Sequence, residues 1–130
     1  MIRWYKTSEY IDCSEEQSFK TSFCKRELSH RYDKVMCIET EETIAGFPDV
    51  MCLTCIDGVN NVDFFEFKYS NKQGKIIFQP TQPAFYKRNP ELNVKVVAYD
   101  TKTRSVHIFP VSCLFEDGKY KINNKAEVQL

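Results

Sequence analysis

Between Gly46 and Lys68 the chain commits itself to one kind of architecture. The stretch opens Gly46-Phe47-Pro48-Asp49, passes through the run Val50-Met51-Cys52-Leu53-Thr54-Cys55-Ile56, turns, and returns as Phe64-Phe65-Glu66-Phe67-Lys68-Tyr69. Side chains alternate across a strand, so 64, 66 and 68 share one face and 65, 67 and 69 the other. Phe65 and Phe67 can therefore anchor a sheet in its core while Glu66 and Lys68 project together. An ordinary core strand has no use for an acid and a base side by side on one face. Asp57-Gly58 and Asn60-Asn61 are turn signals, so the two strands (49–56 and 62–69) are expected to pair as an antiparallel hairpin. That hairpin returns Asp49 to the end where Glu66 and Lys68 lie.

The flanking segments suggest what packs on this hairpin. From Ser14 to about Tyr32 the pattern is helical, with Phe19, Phe23 and Leu28 at offsets of four and five. Ser14 is the expected N-cap, and Glu15 and Glu16 fall in the first turn, where the helix dipole favours negative charge. Lys34 to Ile44 alternates as a strand. Thr81 is positioned to cap a short helix that runs to Arg88 and stops at Asn89-Pro90, with Pro83 tolerated in its first turn. Val94–Tyr99 and Val106–Phe109 read as strands. Leu114-Phe115, Asp117-Gly118 and Tyr120–Ile122 read as a small edge hairpin. The expected order is helix, three strands, helix, two strands and edge hairpin, an α/β fold with helices packed against a sheet. At 130 residues it is expected to form one domain over 1–130.

Composition narrows the setting. Apolar residues make up 42% and charged residues 28%, a globular balance. No apolar run approaches the ~20 residues of a membrane span, so no membrane partner is expected. The N-terminus lacks the apolar centre of a secretory signal. Eighteen basic and eighteen acidic residues cancel, which lowers the expected affinity for nucleic acid without excluding it. Local basic clusters remain: Lys25-Arg26 with Arg31, Lys72 with Lys75, Lys87-Arg88, and Lys102 with Arg104. Of the six cysteines, Cys52 and Cys55 form the single close pair, with no second pair at zinc spacing. Buried, structural thiols in a reducing compartment are the expectation.

Asp49, Glu66 and Lys68 carry the chemistry. Two carboxylates plus the backbone carbonyl of Phe67 make an oxygen-rich site suited to Mg²⁺ or Mn²⁺. A lysine beside such an ion can orient an attacking water and offset charge in a phosphoryl transition state. Gln82 on the following helix can bring its amide to the site while Phe85 and Tyr86 face the core. Lys87 and Arg88 are then candidates for phosphate contacts, as are Lys72 and Lys75 in the polar loop before residue 76.

In this order, Gly-Phe-Pro-Asp, Glu-Phe-Lys and Gln82-x-x-x-Tyr86 resemble the PD-(D/E)xK nuclease superfamily. The resemblance is closest to small stand-alone phage and bacterial nucleases of the VRR-NUC type, related to Holliday-junction resolvases. It runs from about Glu16 to Phe109. It implies a restriction-endonuclease-like mixed sheet flanked by helices, and Mg²⁺-dependent hydrolysis of phosphodiester bonds in DNA, structured or branched DNA above all. It assigns metal binding to Asp49 and Glu66, catalysis to Lys68 and support to Gln82. An acidic residue on the first helix completes many such sites; Glu16 is the best match and Glu15 the second. Resolvases of this kind are commonly homodimers, and the expected compartment is the cytoplasm of a bacterial cell or phage-infected host. The neutral charge departs from junction-binding relatives, and no iron–sulfur cysteine cluster is present.

Plainer readings compete. Asp49 can be a turn aspartate after proline, Glu66 and Lys68 a solvated strand face, Gln82 an exposed helix residue, and Glu16 a partner of the helix dipole. His30 and His107 read as incidental, Tyr69 and Trp4 as packing residues, and Glu39, Glu41 and Glu42 as an exposed strand end. Two rival functions stay open: a catalytically silent nuclease-fold module that binds nucleic acid or protein, and an RNA endonuclease.

Overall fold

The computed structural model describes residues 3–38, 45–115, 120–122 and 126–130. It is a mixed α/β fold built on a six-stranded sheet ordered β1-β7-β6-β4-β3-β2, with a separate two-stranded sheet of β5 and β8. The strands are β1 (Arg3–Lys6), β2 (Lys34–Cys37), β3 (Val50–Ile56), β4 (Val59–Tyr69), β5 (Lys75–Ile77), β6 (Val94–Asp100), β7 (Ser105–Pro110) and β8 (Glu127–Gln129). The pair β4–β6 is parallel; the other pairs in the large sheet are antiparallel.

Both faces of the sheet are covered, and the alternation along β4 decides what goes where. Phe65 and Phe67 turn toward the first helical segment, joining Tyr10, Phe19, Phe23, Leu28, Val97 and Tyr99 in one core. Phe67 is fully buried, its ring edge-on to those of Phe19 and Phe23. The other face of β4 meets α3 (Thr81–Arg88), where Phe78, Phe85, Tyr86, Val96, Ala98 and Phe109 form a second core.

The first helical segment is α1 (Glu16–Phe23), a π-helical stretch Cys24–Leu28, then α2 (Ser29–Arg31). The π turn explains the uneven apolar spacing. Phe19 to Phe23 is one α-turn, but Phe23 to Leu28 is five residues, and the wider turn keeps Leu28 on the buried face. The N-cap is Glu15, not Ser14. The Ser18 hydroxyl accepts the N–H groups of Ser14 and Glu15, each at 3.2 Å, which pins the start one residue later.

Other expectations change as well. The hairpin turn is Asp57-Gly58 alone: both have positive φ (52° and 77°), and Ile56 pairs with Val59 across them. This two-residue turn matches the twist of the flanking strands, so Asn60 and Asn61 are strand residues of β4. Pro80, not Thr81, is the N-cap of α3. The described arms of the expected edge hairpin are not strands, although the Ile122 N–H donates to the Leu114 carbonyl at 3.4 Å. Leu114 lies in a 3₁₀ turn (Val111–Leu114), Tyr120–Ile122 is irregular, and the chain end instead supplies β8 to β5. The Asp117-Gly118 turn, and residues 39–44 of the strand expected from Lys34 to Ile44, with Glu39, Glu41 and Glu42, lie outside the described residues. The cysteines are all free, but Cys37 and Cys55 are exposed, against the expectation of burial. No helix among the described residues is long and apolar enough to cross a membrane.

Candidate active site

Strand β3 stops one residue short of where β4 would next need it. Val50 pairs with Phe65 as the last rung of the ladder; continuing that register would bring Asp49 opposite Glu66 and Pro48 opposite Phe67. Proline carries no donor and the chain leaves the sheet here, so β4 runs on with its outer edge uncovered. The N–H of Phe67, which that edge would leave unpaired, is accepted by the Asp49 carboxylate at 3.1 Å. The backbone carbonyl of Asp49 in turn accepts the Ile38 N–H at 2.7 Å. The aspartate side chain thus replaces the missing ladder bond and is locked beside Glu66.

Glu66 and Lys68 are both buried, 2% and 7% exposed. A charged pair at that depth needs partners. The Glu66 carboxyl is pushed well above the usual range, first by burial, then by the Asp49 charge and a hydrogen bond shared between the two carboxyl groups; Lys68 opposes this and Glu16 adds to it. The Tyr86 hydroxyl faces Glu66 Oε1 at 3.5 Å, and burial together with that carboxylate holds the phenol firmly protonated. Lys68 Nζ donates to Gln82 Oε1 at 2.9 Å and rests 4.7 Å from the centre of the Phe78 ring. The same Gln82 oxygen accepts the Gln79 N–H at 2.8 Å, a bond that the cap residue Pro80 cannot offer. Gln82 is therefore fixed from two sides, and Lys68 with it.

Glu16 reaches this group from α1. It is exposed at the rim, yet loss of hydration raises its carboxyl pKa, with Lys68 and Lys20 opposing and Asp49 reinforcing the shift. Five side chains from three elements and a loop therefore act on one another: Asp49, Glu66, Lys68, Gln82 and Glu16. Glu15 is occupied as the N-cap.

The basic candidates are not drawn into this group. Lys75 pairs with Glu127 at 3.2 Å. Lys72 is exposed in the turn before β5, and Lys87 lies over the Phe115 ring at the far end of α3 from Gln82. Arg88 is exposed at that same end. A helix of this length places its last residues about 9 Å from Gln82 along the axis. His30 is exposed, whereas His107 is buried between Ser105 and Tyr120. Trp4 stacks on His107 and stays half exposed.

Tyr86 and Phe78 escaped the sequence reading as site neighbours. The signal for Tyr86 was present, since positions 82 and 86 lie one turn apart on a helix. Phe78 sits outside regular structure and left no such trace.

Among the described residues no three His, Cys, Asp or Glu side chains close into a ready-made metal cage. The donor chemistry nonetheless suits a hard cation that retains waters: two carboxylates side by side, one of them buried and crowded by its neighbour's charge. The sequence matches no protein-family model, and no curated protein resembles it at a significant level.

Proposed function

We propose that this chain is a metal-dependent endonuclease hydrolysing phosphodiester bonds of DNA, structured or branched DNA above all, on a restriction-endonuclease-like fold. One observation carries the reading: Asp49 and Glu66 share one carboxyl cluster with Lys68 beside them, although all three come from a hairpin that would otherwise bury only apolar groups. Asp49 and Glu66 would hold Mg²⁺ or Mn²⁺, joined by the Phe67 carbonyl, with Glu16 reaching it from α1. The cation supplies charge neutralisation at the phosphate and a more acidic water. Lys68, held by Gln82 and the Phe78 ring, orients the attacking water and offsets charge building on the phosphoryl oxygens. Gln82 positions Lys68 and contributes no proton. Lys72, Lys75, Lys87 and Arg88 then serve only as outlying phosphate contacts, and a homodimer would provide the paired cuts that a junction requires.

The deciding experiment is a cleavage panel with Mg²⁺ or Mn²⁺ over single-stranded, duplex, flap and four-way-junction DNA, with an RNA arm. Wild-type protein is expected to cut at least one DNA substrate, and EDTA to stop it. Asp49→Asn, Glu66→Gln and Lys68→Ala should each lower the rate by about a hundredfold or more. Cleavage that survives Lys68→Ala ends the mechanistic assignment. Binding without any cleavage selects a silent binding module, and cutting confined to RNA reassigns the substrate.

A further inference from the structure

The face of the sheet turned away from Glu66 holds two cations with no acidic partner. Lys95 lies opposite Phe65 and alternates with Val94 and Val96, so it points to the α1 side, where it is half buried. Arg3 lies in the row Arg3–Ile108–Val97 on that same side. Across the intervening strand β7 both reach one cavity of about 110 Å³, closed by Arg31 and Tyr32 at the end of α2. The acid lining it, Glu27, is taken by Arg31 at 3.2 Å. Among the described residues neither Arg3 nor Lys95 has a carboxylate within ion-pair distance.

Two cations bordering one cavity repel each other and together favour an anion between them. A second observation points the same way. The Tyr5 hydroxyl, two residues from Arg3 on β1, is shut off from solvent with no hydrogen-bond partner, within the fields of Glu27, Arg3 and Arg31. A donor without an acceptor thus stands near Arg3, whose guanidinium lies 5.2 Å from the centre of the Tyr5 ring. The cavity has the size for one small oxyanion and no room for a ring system. On the far side of Arg3 and Lys95 it adjoins a wider groove of about 390 Å³ that includes Asn93, Ile108 and Pro110.

We propose that this cavity is a phosphate-binding site, with Arg3 and Lys95 as its cations, and that the adjoining groove receives the organic residue carrying the phosphate. The site is independent of the carboxylate cluster, which lies on the other face, and does not rest on the nuclease reading.

Titration calorimetry on the full chain in EDTA, with inorganic phosphate, adenosine monophosphate and adenosine as probes, tests it. The nucleotide is expected to bind saturably, and adenosine at least about tenfold more weakly. Lys95→Met should weaken nucleotide binding by about tenfold, Lys95→Arg should restore it, and the exposed Arg3→Gln should weaken it severalfold without loss of fold. Asp49→Asn should leave it unchanged. Inorganic phosphate binding as tightly as the nucleotide would overturn the role of the groove and support the phosphate site. Absence of saturable binding by both phosphate and nucleotide, adenosine binding as well as the nucleotide, or indifference to both Lys95→Met and Arg3→Gln overturns the proposal.

Discussion

Glu66 is the residue at which fold and site most directly oppose one another. Its folded pKa is raised above the ordinary value of 4.5, chiefly by burial and then by Asp49. The native state therefore holds this proton more tightly than the unfolded chain does. Its contribution to stability is complete below about pH 4.5 and is lost as pH rises through the folded pKa. Glu66→Gln lacks that loss. In thermal melts without divalent cations, the variant's advantage over wild type should be smallest in acid and widen as pH rises above 4.5. A constant gap would show that the carboxyl titrates as an exposed one does. Mg²⁺ added at neutral pH should narrow the gap by raising the wild-type melting temperature. The pairing of Glu66 with Lys68 was legible from alternation alone. Burial of both was not, because the sequence does not say that α3 would cover that face.

At the scale of elements, Gly46 ties the approach to Asp49 onto α3. Its φ is +90°, and an added Cβ would fall 2.4 Å from the Thr81 carbonyl oxygen and 2.8 Å from Phe85 Cβ. Phe47, next along, packs edge-on to both Phe64 and Phe85. Gly46→Ala should cost about 2 kcal/mol or more, by forced backbone and by displacement of α3. Since α3 carries Gln82, cleavage should fall together with the melting temperature. An unchanged melting temperature would show that the loop yields without disturbing the helix. The hairpin and both main helices could be read from periodicity. The missed strands β1, β5 and β8 are four, three and three residues long, and β5 and β8 each bury one residue fully, Ile76 and Val128, so no alternation could announce them. Asn60-Asn61 misled because it resembles a turn as strongly as Asp57-Gly58 does; tertiary pairing of β3 with β4 chose between them. The described arms of the expected edge hairpin form no strands because Val111–Leu114 winds into a 3₁₀ turn, which leaves one backbone bond between them, Ile122 N–H to the Leu114 carbonyl at 3.4 Å.

For the whole molecule, charge is balanced and dispersed. Eighteen cations match eighteen acids, and Lys75 is already held by Glu127. Nucleic-acid binding should therefore depend weakly on salt. Since each neutralised phosphate contributes about 0.9 to the slope of log K against log salt, we expect a magnitude below about 4. Fluorescence anisotropy with a junction substrate at increasing NaCl measures it. A steeper slope would reveal a basic surface that the fold assembles from cations outside the four singled out. The balance was plain in the sequence; which cations were already paired was not, because Glu127 and Lys75 meet only through the β5–β8 pairing.

The carboxylate that takes the place of a missing strand leaves this enzyme candidate little freedom to lose its acid gradually. Asparagine at 49 can still accept the Phe67 N–H through its amide oxygen, so the sheet margin stays closed while the charge is gone. Alanine can do neither, and Asp49→Ala should fray the outer edge of β4 as well as silence it. Faster amide exchange at Phe67 in Asp49→Ala than in Asp49→Asn would reveal this. Equal exchange in the two would mean that the edge is held shut by other contacts.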